Sequence, residues 1–596
     1  MLLQHSARNR LILLAGLAAS VSAICLPAAP AAAQSAPTRE EILRQPLGAN
    51  PGAPTLEIET EDGIERAPCP LANPEYANVR FTLQGVQFTN AGALDVTTLD
   101  DSWRGLVGTE VPIAAICDIR DRAATELRRQ GYLAAVRVPV QTIEGGNVTL
   151  DILAARLTAI QIRGDAGPSE RQMARYLAKL QDQPLFNVHE AERYQLLANS
   201  LPGASARLTL RPGTAPGEVV GEVSVSRIAA LIDLNVQNYS SRTVGRFGGI
   251  VRASINGLTG MGDETTLAAY STIDFDEQIV LQGGHSFRIG GEGLTLDNQL
   301  TYAWTRPELP GGLDFETRTL AWTSQARYPV QLSQAYTLWM SAGFDWIDQD
   351  VTSIGTLLNR DHLRVAWAQV DANWIDAAAF SGRNGYSPAE PRWSAGFNFQ
   401  VRHGVEAFGA SRPCGPMAVA CFGPGAIPIS RIEADPSTLV LRGSANLEWR
   451  PVPTITLAIA PRAQYSARPL LSYEEFSAGN FTVGRGYDPG TLTGDSGVAV
   501  SSEIRLGSQI PQDNASIAVQ PFVFFDAAWV WNEDTAFAGL NPQKLFSVGG
   551  GARVVFGNRF RIDFAIAEPL RSTGLVPFRP ATRFLISFTT QFGLGR

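Results

Sequence analysis

Beyond its first thirty residues the 596-residue chain contains no uninterrupted apolar run of 18, which argues against membrane-spanning helices. Membrane β-barrels escape that test, because their strands alternate apolar and polar residues. Lysine is nearly missing, at positions 179 and 544 only. With a net charge of −8 and a sequence pI near 5.4, nothing supports a nucleic-acid partner. The preference for arginine over lysine carries no functional weight here. Neither lysine follows a glycine, so the G-K-[ST] of a phosphate-binding loop is absent and no ATP site or other cofactor is expected. There is no H-E-x-x-H, and none of the histidines (5, 189, 285, 362, 403) clusters with the cysteines as a zinc site requires.

What is present is 45% apolar and 9% aromatic residues, with 56 Gly, 37 Pro and a mean hydropathy of −0.02. That is too apolar and aromatic for a disordered chain. The length exceeds one ordinary domain, leaving a multidomain soluble protein or an outer-membrane barrel. The amino terminus speaks for export. Arg8 and Arg10 precede the apolar stretch 11–24, and Ala31-Ala32-Ala33 offers the small residues of a cleavage site. Residues 1–33 are therefore expected to be a signal peptide, with Gln34 as the new start. Ile24 is too bulky for Cys25 to be a lipoprotein cysteine. Four cysteines then remain, Cys69, Cys117, Cys414 and Cys421, an even number that permits two disulfides in an exported chain. Cys414 and Cys421 lie in a Pro/Gly-rich stretch, 412–428, where a short loop can close.

Residues 34–78 are rich in Pro, Gly and acids and read as linker, with one short helical candidate at 39–44. A β-α-β-β pattern follows. Phe81 to Phe88 alternates as a strand, Ile116, Ile119, Ala123 and Leu127 share one helical face, and 134–141 with 147–153 suggest a hairpin around Gly145-Gly146. The pattern recurs with a strand at 159–163, helices marked by Met173, Tyr176, Leu177 and Leu180 and by 190–200, and strands at 206–211 and 218–227. Two α/β modules are thus expected at 79–155 and 156–227. From 228 to 596 the helical period vanishes. Sixteen strands are predicted, starting near 229, 248, 264, 278, 295, 315, 334, 360, 391, 437, 454, 497, 518, 545, 559 and 582. The last strand places Phe584, Ile586, Phe588 and Phe592 on one face, and 522–531 sets Val523, Phe525, Ala527, Trp529 and Trp531 opposite Asp526. About 23 residues per strand with its connection suits a tilted membrane barrel. The stretch 376–390 is long for a turn on the module side.

Specific motifs accompany this pattern. The first module carries Gly131-Tyr132-Leu133, Pro139 and Gln141. The second carries Glu192-Arg193, Leu201-Pro202-Gly203 and Leu210-Arg211-Pro212-Gly213. Before the twelfth strand stands F-S-A-G-N-F-T-V-G-R-G-Y over 476–487, followed by L-T-G-D-S-G over 492–497. Together these resemble the transporter of a two-partner secretion system (TpsB type). This is the ShlB/FhaC/HecB haemolysin secretion/activation family, related to the barrel-assembly protein BamA. The resemblance covers nearly all of the chain after residue 33. It implies two periplasmic polypeptide-transport-associated (POTRA) domains before a transmembrane antiparallel β-barrel of 16 strands in the outer membrane. It also implies a non-enzymatic pore that binds a secreted exoprotein (TpsA type) through its POTRA domains and passes it to the cell surface without nucleotide hydrolysis. Further partners would be outer-membrane lipid and, during biogenesis, the barrel-assembly machinery.

The family's V-R-G-Y/F motif maps onto Val483, Gly484, Arg485, Gly486 and Tyr487, with Gly484 inserted. Family members fold this loop back into the barrel, so Arg485 is expected to meet an acid on the lumen wall, Asp526. The family's terminal Phe is matched by Phe592, which four further residues follow. A BamA-like assembly factor and a passive porin are the alternative readings. Gly494-Asp495-Ser496-Gly497 resembles a serine-protease nucleophile segment, but no histidine stands in a matching context.

Overall fold

The structure is a computed structural model that describes residues 37–43, 58–60, 69–308, 314–513, 515–535, 539–557, 559–573 and 578–595. The expected signal peptide, 1–33, lies outside the described residues. No helix among them is long and apolar enough to cross a membrane. The membrane-crossing element is a sheet: sixteen strands, from Ala230–Gln237 to Arg583–Leu594, pair antiparallel in sequence order and close on themselves. Closure runs from Ala230 opposite Leu594 to Gln237 opposite Ser587. Gly593 and Leu594, beyond Phe592, therefore lengthen the closing ladder. All sixteen strands start near the predicted positions, the largest offset being Thr356 against 360.

Period-two alternation sorts the strands' side chains into two environments. On Glu264–Thr272, Leu267 points outward at 58% exposure, whereas Tyr270 is buried on the inner face at 2%. Val251, Leu281, Phe584 and Ile586 are likewise exposed outside, the signature of a lipid-facing surface. The inner face carries Asn235, Gln278, Thr301, Thr319 and Gln349, all buried. It is not uniformly polar. Tyr270, Val280, Ala303, Ala321, Ile347, Leu363 and Val365 form an apolar stripe inside the barrel, covered by Ile42 and by the Cys414–Cys421 loop.

The first module packs α2 (Ala115–Arg129) on a three-stranded sheet ordered Gly85–Thr89, Asn147–Ala154, Ala134–Arg137. All four expected apolar positions of α2 are buried. The predicted strand over 81–88 is two strands. Arg80–Thr82 pairs with Glu110–Pro112, while Gly85–Thr89 joins the main sheet. The break falls where Leu83 turns fully into the core and its N–H goes to the Thr109 carbonyl. The partner of Asn147–Ala154 ends at Arg137, ahead of Pro139, which has no N–H to offer. Beyond it the Gln141 amide substitutes for a strand, donating to the Thr149 carbonyl and accepting its N–H, both at 2.7 Å. Cys69 is bonded to Cys117 on α2.

The second module packs α3 (Glu170–Gln181) and α4 (Val188–Asn199) on a sheet ordered Ile58–Thr60, Ala204–Pro212, Glu218–Arg227, Arg156–Gly164. It leans on the near-end turns of the barrel. Arg193 donates to the Pro329 carbonyl at 3.0 Å, and Lys179 meets Glu292 at 3.1 Å. The Glu292 carboxylate holds the Lys179 ammonium above its ordinary range by that hydrogen bond. The long near-end stretch flagged at 376–390 contains a short 3-10 turn, Ala377–Ser381, and is tied to the next turn by the Tyr386 hydroxyl, 3.0 Å from the Arg450 carbonyl.

The expected linker is not a passive spacer. Its helical candidate is α1 (Arg39–Ile42), started by a reciprocal Thr38/Glu41 capping box. It sits inside the barrel: Arg462 on the wall reaches Glu40 at 3.1 Å, Gln282 donates to the Ile42 carbonyl, and Ile42 is fully buried.

Candidate functional site

The connection 467–495 leaves the far end of the barrel and returns inside it. A short hairpin, Phe476–Ala478 against Leu492–Gly494, forms its stem. The stem is apolar where it meets the wall: Phe476, Ala478, Val483, Tyr487 and Leu492 pack with Ala499, Ala528, Val530 and Leu545. The tip carries Arg485, whose guanidinium meets Asp526 side-on. Nε reaches Oδ2 at 3.0 Å and Nη2 reaches Oδ1 at 2.7 Å, while the Arg485 backbone N–H donates to Oδ2 at 2.9 Å. This is the bidentate geometry in which a planar fork holds a carboxylate.

The wall is shaped for that fork. Asp526 is fully buried on the Ile517–Trp531 strand, and its cross-strand neighbours are Ser501 and Ser547. Both hydroxyls donate to it, at 2.9 and 3.3 Å. Arg485 also donates to Ser501 and bonds Glu503, which Arg553 and Arg505 hold from the other sides at 2.9 and 2.7 Å. Phe524 lies beneath the guanidinium, 3.6 Å from ring centroid to the Arg carbon, a cation–π contact. Its ring fits because Gly549 is bare: a Cβ there would stand 2.6 Å from the Phe524 ring.

The neighbouring motif residues secure the tip. Gly484, the inserted glycine, has φ +118°, and a Cβ on it would meet Leu545 at 2.6 Å. The insertion is thus accommodated by a conformation that a side chain would resist. At Gly486 a Cβ would come within 2.9 Å of Ser547. Tyr487 is fully buried, its hydroxyl 3.0 Å from the carbonyls of Phe546 and Arg571. Arg583 braces Asp488 at 2.9 Å, and Gly490 closes on α1, where a Cβ would lie 2.8 Å from Thr38. Loop tip and helix therefore touch inside the barrel.

A second arginine cluster lies nearer the far end. Arg431, from the loop of the Cys414–Cys421 bridge, bonds Glu475 at 2.7 Å, Asp495 at 2.6 Å, Asp534 at 2.9 Å and the Leu470 carbonyl at 2.9 Å. Three far-end connections meet on it. Asp495, the acid of the protease-like stretch, also accepts the backbone N–H groups of Leu470 and Glu533, and Ser496 bonds the Ser466 backbone. Those two side chains are engaged in holding loops. Sequence reasoning missed Glu503, Phe524 and Arg431. The Gly549-Gly550-Gly551 run was the available signal for the second, since glycines inside a strand mark close approach.

The model of the family "haemolysin secretion/activation protein ShlB/FhaC/HecB" matches residues 368–554, and that of the ShlB-type POTRA domain matches 81–154. The first of these spans the lumen loop and the three strands around Asp526. Over those residues the chain resembles the haemolysin secretion/activation family. Among curated relatives, the heme/hemopexin transporter protein HuxB of Haemophilus influenzae is 26% identical over 228 residues, 36% of this chain and 40% of HuxB. The match thus spans less than half of that relative. Among solved structures, CdiB from Escherichia coli has a TM-score of 0.72 at 14% identity, covering 89% of this chain and 94% of that one. CdiB from Acinetobacter baumannii has a TM-score of 0.62 at 14% identity, covering 90% and 95%. These two likenesses establish a common fold of modules and barrel.

Proposed function

We propose that the protein is the outer-membrane pore of a two-partner secretion system. Its modules take up an exoprotein in the periplasm, and its barrel passes that chain, extended, to the cell surface. Residues 1–33 would direct export, and the modules would face the periplasm. The observation that carries this reading is how the lumen is filled. A sixteen-stranded barrel encloses an aqueous channel unless something plugs it. Here α1 and the 467–495 loop occupy it, held to the wall by hydrogen bonds, ion pairs and apolar contacts that can break without covalent change. A gated path for a polypeptide follows naturally from such a plug. A passive porin has no use for two modules docked at its entrance. No nucleotide is needed if the exoprotein folds outside and so cannot slide back.

The test is deletion of 79–227 with barrel insertion verified by heat-dependent gel migration. Surface delivery of a co-expressed partner exoprotein should fall to background. Persisting delivery would refute capture by the modules.

A further inference from the structure

Around Arg485 and Arg431, carboxylates gather on a guanidinium. One luminal cluster is built the other way round. Asp488, just past the loop tip, is met by Arg583 at 2.9 Å and by Arg246 at 3.5 Å, and the Arg242 backbone N–H approaches its second oxygen at 3.5 Å. Arg583 opens the closing strand, while Arg242 and Arg246 stand on the connection 238–247 between the first two barrel strands. Both lie near enough to Arg583 for their like charges to oppose it. Three arginines thus gather at one carboxylate. Among the described residues no other acid forms an ion pair with any of them. Asp274 and Glu277 come within 3.5 Å of where a Gly245 Cβ would stand on the same connection, yet they are hydrogen-bonded to each other.

The cluster is prepared for negative charge. Arg583 is buried and rigidly held: Nη2 donates to the Tyr239 and Ser240 carbonyls, both at 3.3 Å, and Nη1 donates to the Tyr487 carbonyl. Its Nε is buried with no partner among the described residues. A buried donor without an acceptor is unfavourable, and a further oxygen at this site would satisfy it. The side chains of Arg246 and Asp488, by contrast, are 31% and 32% exposed, so their pairing can be reached and exchanged.

We infer that Arg583 and Arg246, with Arg242 beside them, form an oxyanion site that takes carboxylates from an acidic stretch of the polypeptide in transit, in exchange for Asp488. The planar guanidinium fork is matched to a carboxylate, and two or three of them outweigh the single resident acid. Position selects the source. Asp488 belongs to the loop inside the barrel, where Gly490 closes on α1, so a lipid headgroup outside the wall does not reach it and a chain moving along the lumen passes it. Exchange removes one anchor of the loop tip while Arg485 keeps the other. An acidic stretch thereby loosens the plug in its way. This deepens the secretion reading and rests on it.

The test uses the full-length protein in detergent micelles and two fluorescein-labelled synthetic decapeptides, one alternating Glu and Ser, the other with Gln in place of every Glu. Anisotropy should show binding of the Glu peptide and none of the Gln peptide. Arg246→Gln should weaken binding at least fivefold, and it leaves the carbonyl contacts of Arg583 intact. Asp488→Asn removes the resident competitor and should tighten binding several-fold. Glu406→Gln, which removes an exposed far-end carboxylate, should leave binding unchanged. On the wild type, saturating Glu peptide should raise hydrogen exchange in 486–491. Equal binding of the two peptides, or binding unmoved by Arg246→Gln and Asp488→Asn, overturns the site. Complete displacement of the peptide by millimolar inorganic phosphate at constant ionic strength would assign the pocket to a free anion and overturn the polypeptide source. Failure of the wild type to export a co-expressed partner exoprotein, with peptide binding intact, would instead overturn the secretion reading.

Discussion

Arg431 is buried and Arg485 half-buried, and both serve more than one carboxylate, yet they join different things. Arg485 fastens one loop to one patch of wall. Every group it touches, Asp526, Glu503, Ser501 and Phe524, sits on adjacent strands whose register is fixed by the barrel. Arg431 fastens loops to one another, and its acids come from 475, 495 and 534 in two further connections. Their charge balance differs as well. Around Arg485, the carboxylate of Glu503 has Arg505 and Arg553 in reserve. Around Arg431 three acids converge on a single guanidinium. A site built on strands can lose its cation and keep its shape; a site built of loops depends on the cation for its shape.

Removing Arg431 is therefore expected to have the largest effect. Arg431→Met keeps the stem and leaves the buried Glu475 and Asp495 beside the half-buried Asp534. Unpaired buried charge of this kind costs about 3–5 kcal/mol. Hydrogen exchange over 405–438 and 532–542 should accelerate markedly while the barrel strands stay protected. If those loops remain protected, the idea of a single cation organising them is wrong. Arg485→Ala should cost less, about 2–3 kcal/mol, the value of hydrogen bonds to a charged group. Exchange should then rise in 476–494 alone. Surface delivery of the exoprotein should also drop at least tenfold if the loop must hold its place. Unchanged exchange and delivery would sink the latch.

The same contrast explains what could be read in advance. Barrel strands and both modules follow from alternation and helical period, because each depends on residues close in sequence, while the Arg485–Asp526 pair was legible only through the resemblance of 483–487 to the family's loop motif. Arg431 offers no such signal. It stands in a Pro/Gly-rich loop, and its partners lie 44, 64 and 103 residues away. Likewise, nothing in 34–78 announces that Ile58–Thr60 pairs with a strand 150 residues on. The split at Leu83 was missed because alternation runs unbroken through 81–88, while the core decides which residues stay in the ladder. The lumen carries an apolar stripe that alternation along single strands does not reveal, since Ile42 and the Cys414–Cys421 loop supply its cover.

Gly484 sharpens the comparison on the Arg485 side. Gly484→Ala puts a side chain at φ +118° and a methyl 2.6 Å from Leu545. Backbone strain of this kind is worth about 2 kcal/mol. Adding Leu545→Ala should relieve the contact and leave the strain, restoring part of the protection lost from 476–494. Full restoration would mean that crowding alone made glycine necessary.

The smallest effect is expected beneath the guanidinium. Phe524→Leu keeps an apolar floor above Gly549 and removes the ring face. A cation–π contact in a partly wet site contributes about 1 kcal/mol. Combined with Arg485→Ala in a double-mutant cycle, it should show a coupling of about that size, because the ring has little to stabilise once the cation is gone. The same Phe524→Leu change combined with Arg431→Met should be additive, since the two clusters share no hydrogen-bonding partner. Coupling in that second cycle would mean that the two arginines hold one connected loop assembly, with the wall patch and the far-end loops opening as a unit.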